Sequence, residues 1–292
     1  LQKRPNSTSG FRESALDSLV VSDLNEALLM SLLGRLKRPD IANLPALIVR
    51  NLRDKKSRGF GSLSIHKLLL LDQLNQCATL MPDLLNNQHF VGAYLQRLRP
   101  SDDRSWSGDA EVTEAYLDRL YSFAQRLSAT HNSLKAHVLH HRLEFDMAAG
   151  KPNKARFLAY LRLPRLESYM NREYVQNRRN GGQMVDMKRS YPTGLGSIGS
   201  DNALVRQYLM HFFVTEDSYQ PYSQTVRDEY LRRLFAETKI LNGIGDMERW
   251  YSLLNDPVYY EKLKDRVEIN FLPTLKRHYG SKDKVSMVLD VK

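Results

Sequence analysis

Three histidines and a glutamate lie close together in the chain, at His137, His140, His141 and Glu144. Imidazole nitrogens and carboxylate oxygens are zinc ligands, and on a helix side chains three or four residues apart share a face. His137 and His141 have the four-residue spacing and Glu144 follows three residues later, so His137, His141 and Glu144 are the candidate metal ligands. Hydrolytic chemistry asks for more. In the helical metalloprotease pattern a glutamate general base directly follows the first histidine, and that position holds Val138. His141 also continues the apolar stripe of Leu134, Val138, Phe145 and Ala148, where a hydrogen-bonded interior histidine is the common outcome. The cluster therefore reads as structural, with no metal, cofactor or catalytic residue assigned; a metal-dependent enzyme built on the His137 and His141 helix is the second alternative.

Two other features resemble reactive motifs. Cys77, the only cysteine, sits in Asn75-Gln76-Cys77-Ala78. One thiol excludes an internal disulfide and a cysteine-rich zinc site, and nothing beside it marks a lowered thiol pKa, so it reads as a small packed residue. Gly194, Gly196 and Gly199 spell G-x-G-x-x-G before a helix starting near Asp201. A dinucleotide site needs a strand entering that turn, but Met184 to Thr193 is broken by Asp186, Lys188, Arg189 and Pro192. A turn with Asp201 as helix N-cap accounts for the glycines.

The charge is unevenly spread. There are 43 basic against 33 acidic residues, net +10, and residues 151–200 alone carry ten cations against three carboxylates, net +7. Arg165, Arg172, Arg178, Arg179, Lys188 and Arg189 are the candidate anion- or partner-binding residues within it. Tyr160, Tyr169, Tyr174 and Tyr191 alternate with the cations, as in a surface that stacks bases while meeting phosphates. No nucleic-acid fold motif accompanies them. Binding of nucleic acid or an acidic polymer through 151–189 is thus the alternative, and a solvated or protein-docking basic surface the preferred reading.

The elements that must position these residues are mostly helical. Apolar positions recur at three and four residue intervals from Leu16 to Leu32, after Pro45, from Leu63 to Leu80, from Pro82 to Leu98, from Val112 to Leu127 and from Leu134 to Ala148. A short helix follows within Lys151 to Leu163. Periodicity is lost from Arg165 to Ser200, and helices resume at Asp201, with a long one from Val226 to Leu241 and a shorter one from Met247 to Leu254. Val267, Ile269 and Phe271, then Val285, Met287, Leu289 and Val291, switch to the two-residue period of strands. The expected organisation is a polar tail at 1–10, a helical subdomain at 11–164, a basic glycine-rich connecting loop at 165–200, a second helical subdomain at 201–265 and the beginning of a β domain at 266–292. The fold class is mainly α, an irregular antiparallel helical stack with the start of a β-sandwich at the C-terminus. No self-similar repeat is found, and no apolar run reaches the ~20 residues of a membrane span.

Four runs carry a family resemblance: Gly34-Arg35-Leu36-Lys37-Arg38-Pro39-Asp40, Gly59-Phe60-Gly61-Ser62-Leu63-Ser64-Ile65-His66, Asn132-Ser133-Leu134-Lys135-Ala136-His137-Val138-Leu139, and Ala236-Glu237-Thr238-Lys239-Ile240 through Gly245-Asp246-Met247-Glu248. They resemble the helical region of very large bacterial proteins similar to α2-macroglobulin-like multidomain proteins. The resemblance implies a helical segment followed by β-sandwich domains, an envelope or exported setting, and a non-enzymatic scaffold or interaction role. The implied partners are downstream β domains of the same polypeptide and a protein ligand. The thioester motif of α2-macroglobulins is absent, since Ala78 and Thr79 follow Cys77.

Overall fold

The computed structural model describes residues 25–41, 43–100, 108–179, 181–264, 269–271 and 289–291. The chain forms two compact units, Leu1–Leu98 and Arg99–Lys292, a boundary that falls inside the helical subdomain expected at 11–164. The described residues are mainly helical, with thirteen α-helices, none long and apolar enough to cross a membrane.

In the first unit, α1 (Glu26–Arg35) begins where the Asn25 side chain accepts the Leu28 N–H at 2.9 Å, and it buries Leu29 and Leu33. The part of its stripe before residue 25 lies outside the described residues. Pro45 sits in the first turn of α2 (Leu44–Arg53), where its missing N–H costs nothing. The helix expected from Leu63 to Leu80 is in fact two, α3 (Ser64–Leu68) and α4 (Leu71–Leu80). Leu69 and Leu70 between them are extended. The Gln73 side chain accepts the Leu70 N–H at 3.0 Å, while the Arg97 guanidinium donates to the carbonyls of Leu69 and Lys67 at 2.9 Å each. These partners, one local and one distant in the chain, replace helical bonds lost at the break. The fourth helix likewise does not start at Pro82. A 3-10 turn, Pro82–Asn86, precedes α5 (Gln88–Leu98), whose first N–H groups are taken by the Asn87 side chain.

The segment Asp54 to Gly61 is pinned by a buried histidine. His66 stacks on Phe60 with ring centroids 4.7 Å apart, and its Nδ1 accepts the Gly61 N–H at 2.8 Å. Gly61 has φ +97°, and a Cβ there would meet the His89 side chain at 3.0 Å, so only glycine suits the turn. Burial pushes the His66 pKa down from 6.5 to about 4.

The second unit is organised around α7 (Asn132–Ala148). Asp109 caps α6 (Ala110–Gln125) by accepting the N–H groups of Glu111 and Val112 at 3.0 and 3.1 Å. α6 packs against α7, and α8 (Lys154–Leu161) packs on α7 from the other end of a turn closed by Gly150 at φ +68°. Residues buried on α7 include Leu134, Val138 and Leu143 but also His137, His140, Arg142 and Asp146. It is covered on several sides, and its buried charges are paired: Arg142 meets Glu114, Asp118 and Asp146 at 3.1, 3.2 and 3.0 Å, and Arg156 reaches Asp146 at 2.7 Å.

The stretch expected to be an irregular loop contains α9 (Arg172–Arg179), followed by a strap laid along α7. Asn132 donates to the Gln183 carbonyl at 2.8 Å, Ser133 Oγ accepts the Asp186 N–H at 2.9 Å, and Tyr116 donates to the Thr193 carbonyl at 2.7 Å. Beyond it, α10 (Asn202–Thr215), α11 (Asp228–Leu241), α12 (Met247–Leu254) and α13 (Pro257–Lys264) close the core through a chain of rings. Phe213 meets Phe235 at 5.0 Å, Phe235 meets Trp250 at 5.6 Å, and Phe157 stacks on Tyr208 at 4.8 Å. β1 (Ile269–Phe271) pairs antiparallel with β2 (Leu289–Val291), Ile269 opposite Val291. The remainder of the two alternating runs, and the polar tail at 1–10, lie outside the described residues, and nothing described amounts to a sandwich.

The sign of the His66 shift gives a pH prediction for the first unit. Because the folded pKa lies below the unfolded value, the neutral ring stabilises the fold above pH 6.5. That contribution, about 3 kcal/mol, is lost as pH falls from 6.5 towards 4. NMR should show the His66 ring titrating near pH 4, and His66→Asn, which can still accept from Gly61, should flatten the fall in unfolding free energy over this window.

Candidate partner-binding face and the histidine strap

Arg165, the first of the candidate surface cations, is not at the surface. It is fully buried, and its Nε donates at 2.8 Å to Asp201 Oδ2, which is buried as completely. Its Nη1 donates to the carbonyls of Tyr160 and Leu163 at 2.9 and 2.7 Å, while its guanidinium lies 4.2 Å from the Tyr160 ring centre. The Tyr160 and Tyr169 hydroxyls each donate to Asp201 Oδ2 at 2.7 Å. Burial, reinforced by the Asp201 carboxylate, raises both phenols well above the ordinary tyrosine range, so both stay protonated as donors. Asp201 does stand at the N-cap position of α10, but its side chain makes no cap bond. The buried cation has claimed it, because an unpaired guanidinium in the core would cost far more than an open helix end.

This lock sets α9 at the surface. Asn171 Oδ1 accepts the Tyr174 N–H at 3.2 Å to start the helix, and the Tyr174 hydroxyl donates to the Arg162 carbonyl at 2.6 Å. Arg172 and Arg179 are exposed and Arg178 half-buried, its guanidinium 4.0 Å from the Tyr174 ring centre. Lys188 and Arg189 are exposed on the strap. Among the described residues none of these five has a carboxylate within ion-pair distance. The structure thus keeps five of the six candidates on the outside and takes the sixth inside. The interleaved tyrosines fare differently, for Tyr160, Tyr169 and Tyr174 are buried, which removes three of the four rings that a base-stacking surface would need.

The histidines anchor the strap. His137 Nε2 pairs with Thr193 Oγ1 at 2.9 Å, and His141 Nε2 donates to the Gly196 carbonyl at 2.8 Å. The four-residue spacing that would suit a zinc pair here presents two rings, one helical turn apart, to two points of the strap. Burial, then the neighbouring His141 and His140, push the His137 pKa down to about 3, so its ring is neutral. Glu144 faces the other two rings, its Oε2 3.1 Å from His141 Nδ1 and 3.5 Å from His140 Nδ1. Burial works to raise its pKa, but the two imidazoles outweigh it and hold the carboxyl well below its usual range. His137 therefore does not join His141 and Glu144, whereas His140 does. Its four-residue spacing to Glu144 is a signal present in the sequence.

The glycine turn is not a dinucleotide site. No strand enters it, Gly194 and Gly199 have φ near +75° and +70°, and the Gly196 carbonyl is taken by His141. Cys77 is fully buried and its thiol is pushed up to about 12 by burial, which leaves it protonated and unreactive.

If the Arg165 lock holds the second unit together, removing one member must strand the other charge. Asp201→Leu should lower the unfolding free energy by roughly 3–5 kcal/mol, whereas Tyr169→Phe, which deletes one hydroxyl, should cost about 1 kcal/mol. Urea unfolding followed by fluorescence of the buried Trp250 measures both.

Comparison with known proteins places the chain. Residues 1–267 match the family model described as the Actin-binding protein F N-terminal domain. Actin-binding protein F of Dictyostelium discoideum is 28% identical over 274 residues, 92% of this chain. The chain spans only 11% of that relative's length. No solved structure matches. The resemblance to bacterial α2-macroglobulin-like proteins, and the envelope or exported setting it implied, are overturned by this match. The runs that carried that resemblance are helix ends, turns and helix interiors. The Gly59 to His66 run, for one, is a turn held by a buried histidine, and such local solutions recur among unrelated helical proteins. The chain belongs to the family of Actin-binding protein F N-terminal domains.

Proposed function

We propose that this chain is a non-enzymatic binding module whose partner is actin, engaged through the basic face formed by α9 and the strap. The observation that carries the reading is the family match over residues 1–267 to the N-terminal domain of a protein described as actin-binding. The distribution of exposed charge supports this choice of face. Arg172, Arg178, Arg179, Lys188 and Arg189 are the candidate cations left at the surface of a region with net +7, and the buried Arg165 lock supports the helix that bears three of them. Cations held on an ordered helix lose less freedom on binding than the same charges on a loose loop, and they steer an acidic partner during approach. In a longer chain such as that of the relative, the module would be one binding part among others, with the β1 and β2 ladder leading into a β domain.

Co-sedimentation with polymerised actin tests this. The protein should pellet with filaments, less so as salt rises, because exposed charges are screened over about 10 Å at 0.1 M ionic strength. Reversing Arg178 and Arg179 together to Glu should weaken binding by about tenfold, while Lys55→Glu and Lys56→Glu in the first unit should not. Failure to pellet at low salt would overturn the assignment of the partner; pelleting that ignores the α9 reversals would overturn the assignment of the face.

A further inference from the structure

Hydrogen-bond accounting around Glu144 leaves one problem. The Gly196 carbonyl can only accept, so His141 Nε2 must carry a proton, and a neutral His141 then has a bare lone pair at Nδ1. That lone pair points at a carboxylate oxygen 3.1 Å away, one acceptor facing another. His140 is 5% exposed, and its Nδ1 has no hydrogen-bond partner although it lies 3.5 Å from the same oxygen. Two imidazole nitrogens and one carboxylate oxygen therefore converge on a point that only a positive charge can satisfy.

We propose that His140 Nδ1, His141 Nδ1 and Glu144 Oε2 form a binding site for one divalent transition metal ion of the zinc class. The ligand-bearing groups of His140, His141 and Glu144 already lie within 4.8 Å of one another. A tetrahedral ion with ligands at 2.0–2.2 Å holds them about 3.3 Å apart, between the two distances to Oε2. Helix geometry explains the convergence, since Glu144 is three and four residues beyond the histidines and shares their face of α7. Two imidazoles with one carboxylate favour zinc-like ions over calcium or magnesium. The His141 Nε2 bond to Gly196 is the outer contact that fixes a ligating ring and its tautomer. Glu144 is 40% exposed, which opens the site to entry and to a solvent ligand in the fourth position. The ion would fasten α7 at the turn where the strap is anchored, a structural role that needs no general base.

The full chain, produced without a histidine tag and stripped with a chelator, should take up one equivalent of zinc in competition with a chromophoric chelator. Cobalt in place of zinc should give the intense visible bands of a tetrahedral ion. Glu144→Gln should weaken zinc binding by about tenfold or more, as should His140→Ala, while His137→Gln, outside the ligand set, should not abolish it. Because Glu144 is partly exposed, its variant keeps the test valid even if loss of the buried His140 unfolds the protein. Zinc uptake well below one equivalent at micromolar ion, or uptake unchanged in Glu144→Gln, would overturn the site. So would NMR evidence that His141 carries protons on both nitrogens in the presence of zinc, since the cation between ring and carboxylate would then be a proton.

Discussion

Burying a full positive charge is tolerable only when its counter-charge is buried with it, and the second unit is built on that condition. Arg165 and Asp201 are both fully buried, joined at 2.8 Å, and sealed by two tyrosine hydroxyls and two backbone carbonyls. These groups come from α8, from the turn after it and from the start of α10, so the pair fixes three segments at one point. A pair of this kind contributes little net stability compared with apolar packing, but it tolerates no substitute arrangement in which either charge stands alone. That intolerance is what sets the path of the chain between Pro164 and Asp201.

The strap inherits its course from this point and from α7. With its far end tied to the lock, the segment runs along α7 and meets it at Ser133, His137 and His141, each one turn beyond the last. A helix this buried would ordinarily be apolar all round. Here α7 carries His137, His141, Arg142 and Asp146 inside because the strap, α6 and α8 bring partners to them. Buried polar groups need such partners, so the strap is as much a part of the core as a helix would be.

The proposed function rests on what the lock and strap leave outside. α9 is held by Tyr174 and Asn171 from below and turns its arginines outward, where none has a carboxylate within ion-pair distance among the described residues. A binding face needs both features: rigid support and an unmet electrostatic demand. The His140, His141 and Glu144 cluster is a second place of unmet demand, but a small and half-enclosed one, matched to an ion rather than to a protein.

The sequence by itself determined the helices and the sign of the charge. Apolar spacing located α2, α5, α6, α7 and α12 because each buries a stripe, and the concentration of cations at 151–200 needed only counting. Local signals also marked Pro45 and the Asp201 helix start. Only tertiary structure decided the rest, because the deciding partners are distant in the chain. The Leu69 and Leu70 break in the expected 63–80 helix is held in part by Arg97, 28 residues from Leu69. Asp201 serves Arg165, 36 residues away, in place of its own helix. The loss of periodicity after Arg165 reflected polar anchoring along α7 rather than lack of structure, since a strap that satisfies its backbone through side chains on another helix carries no period of its own. Which cations face outward depends in the same way on contacts that no spacing rule encodes.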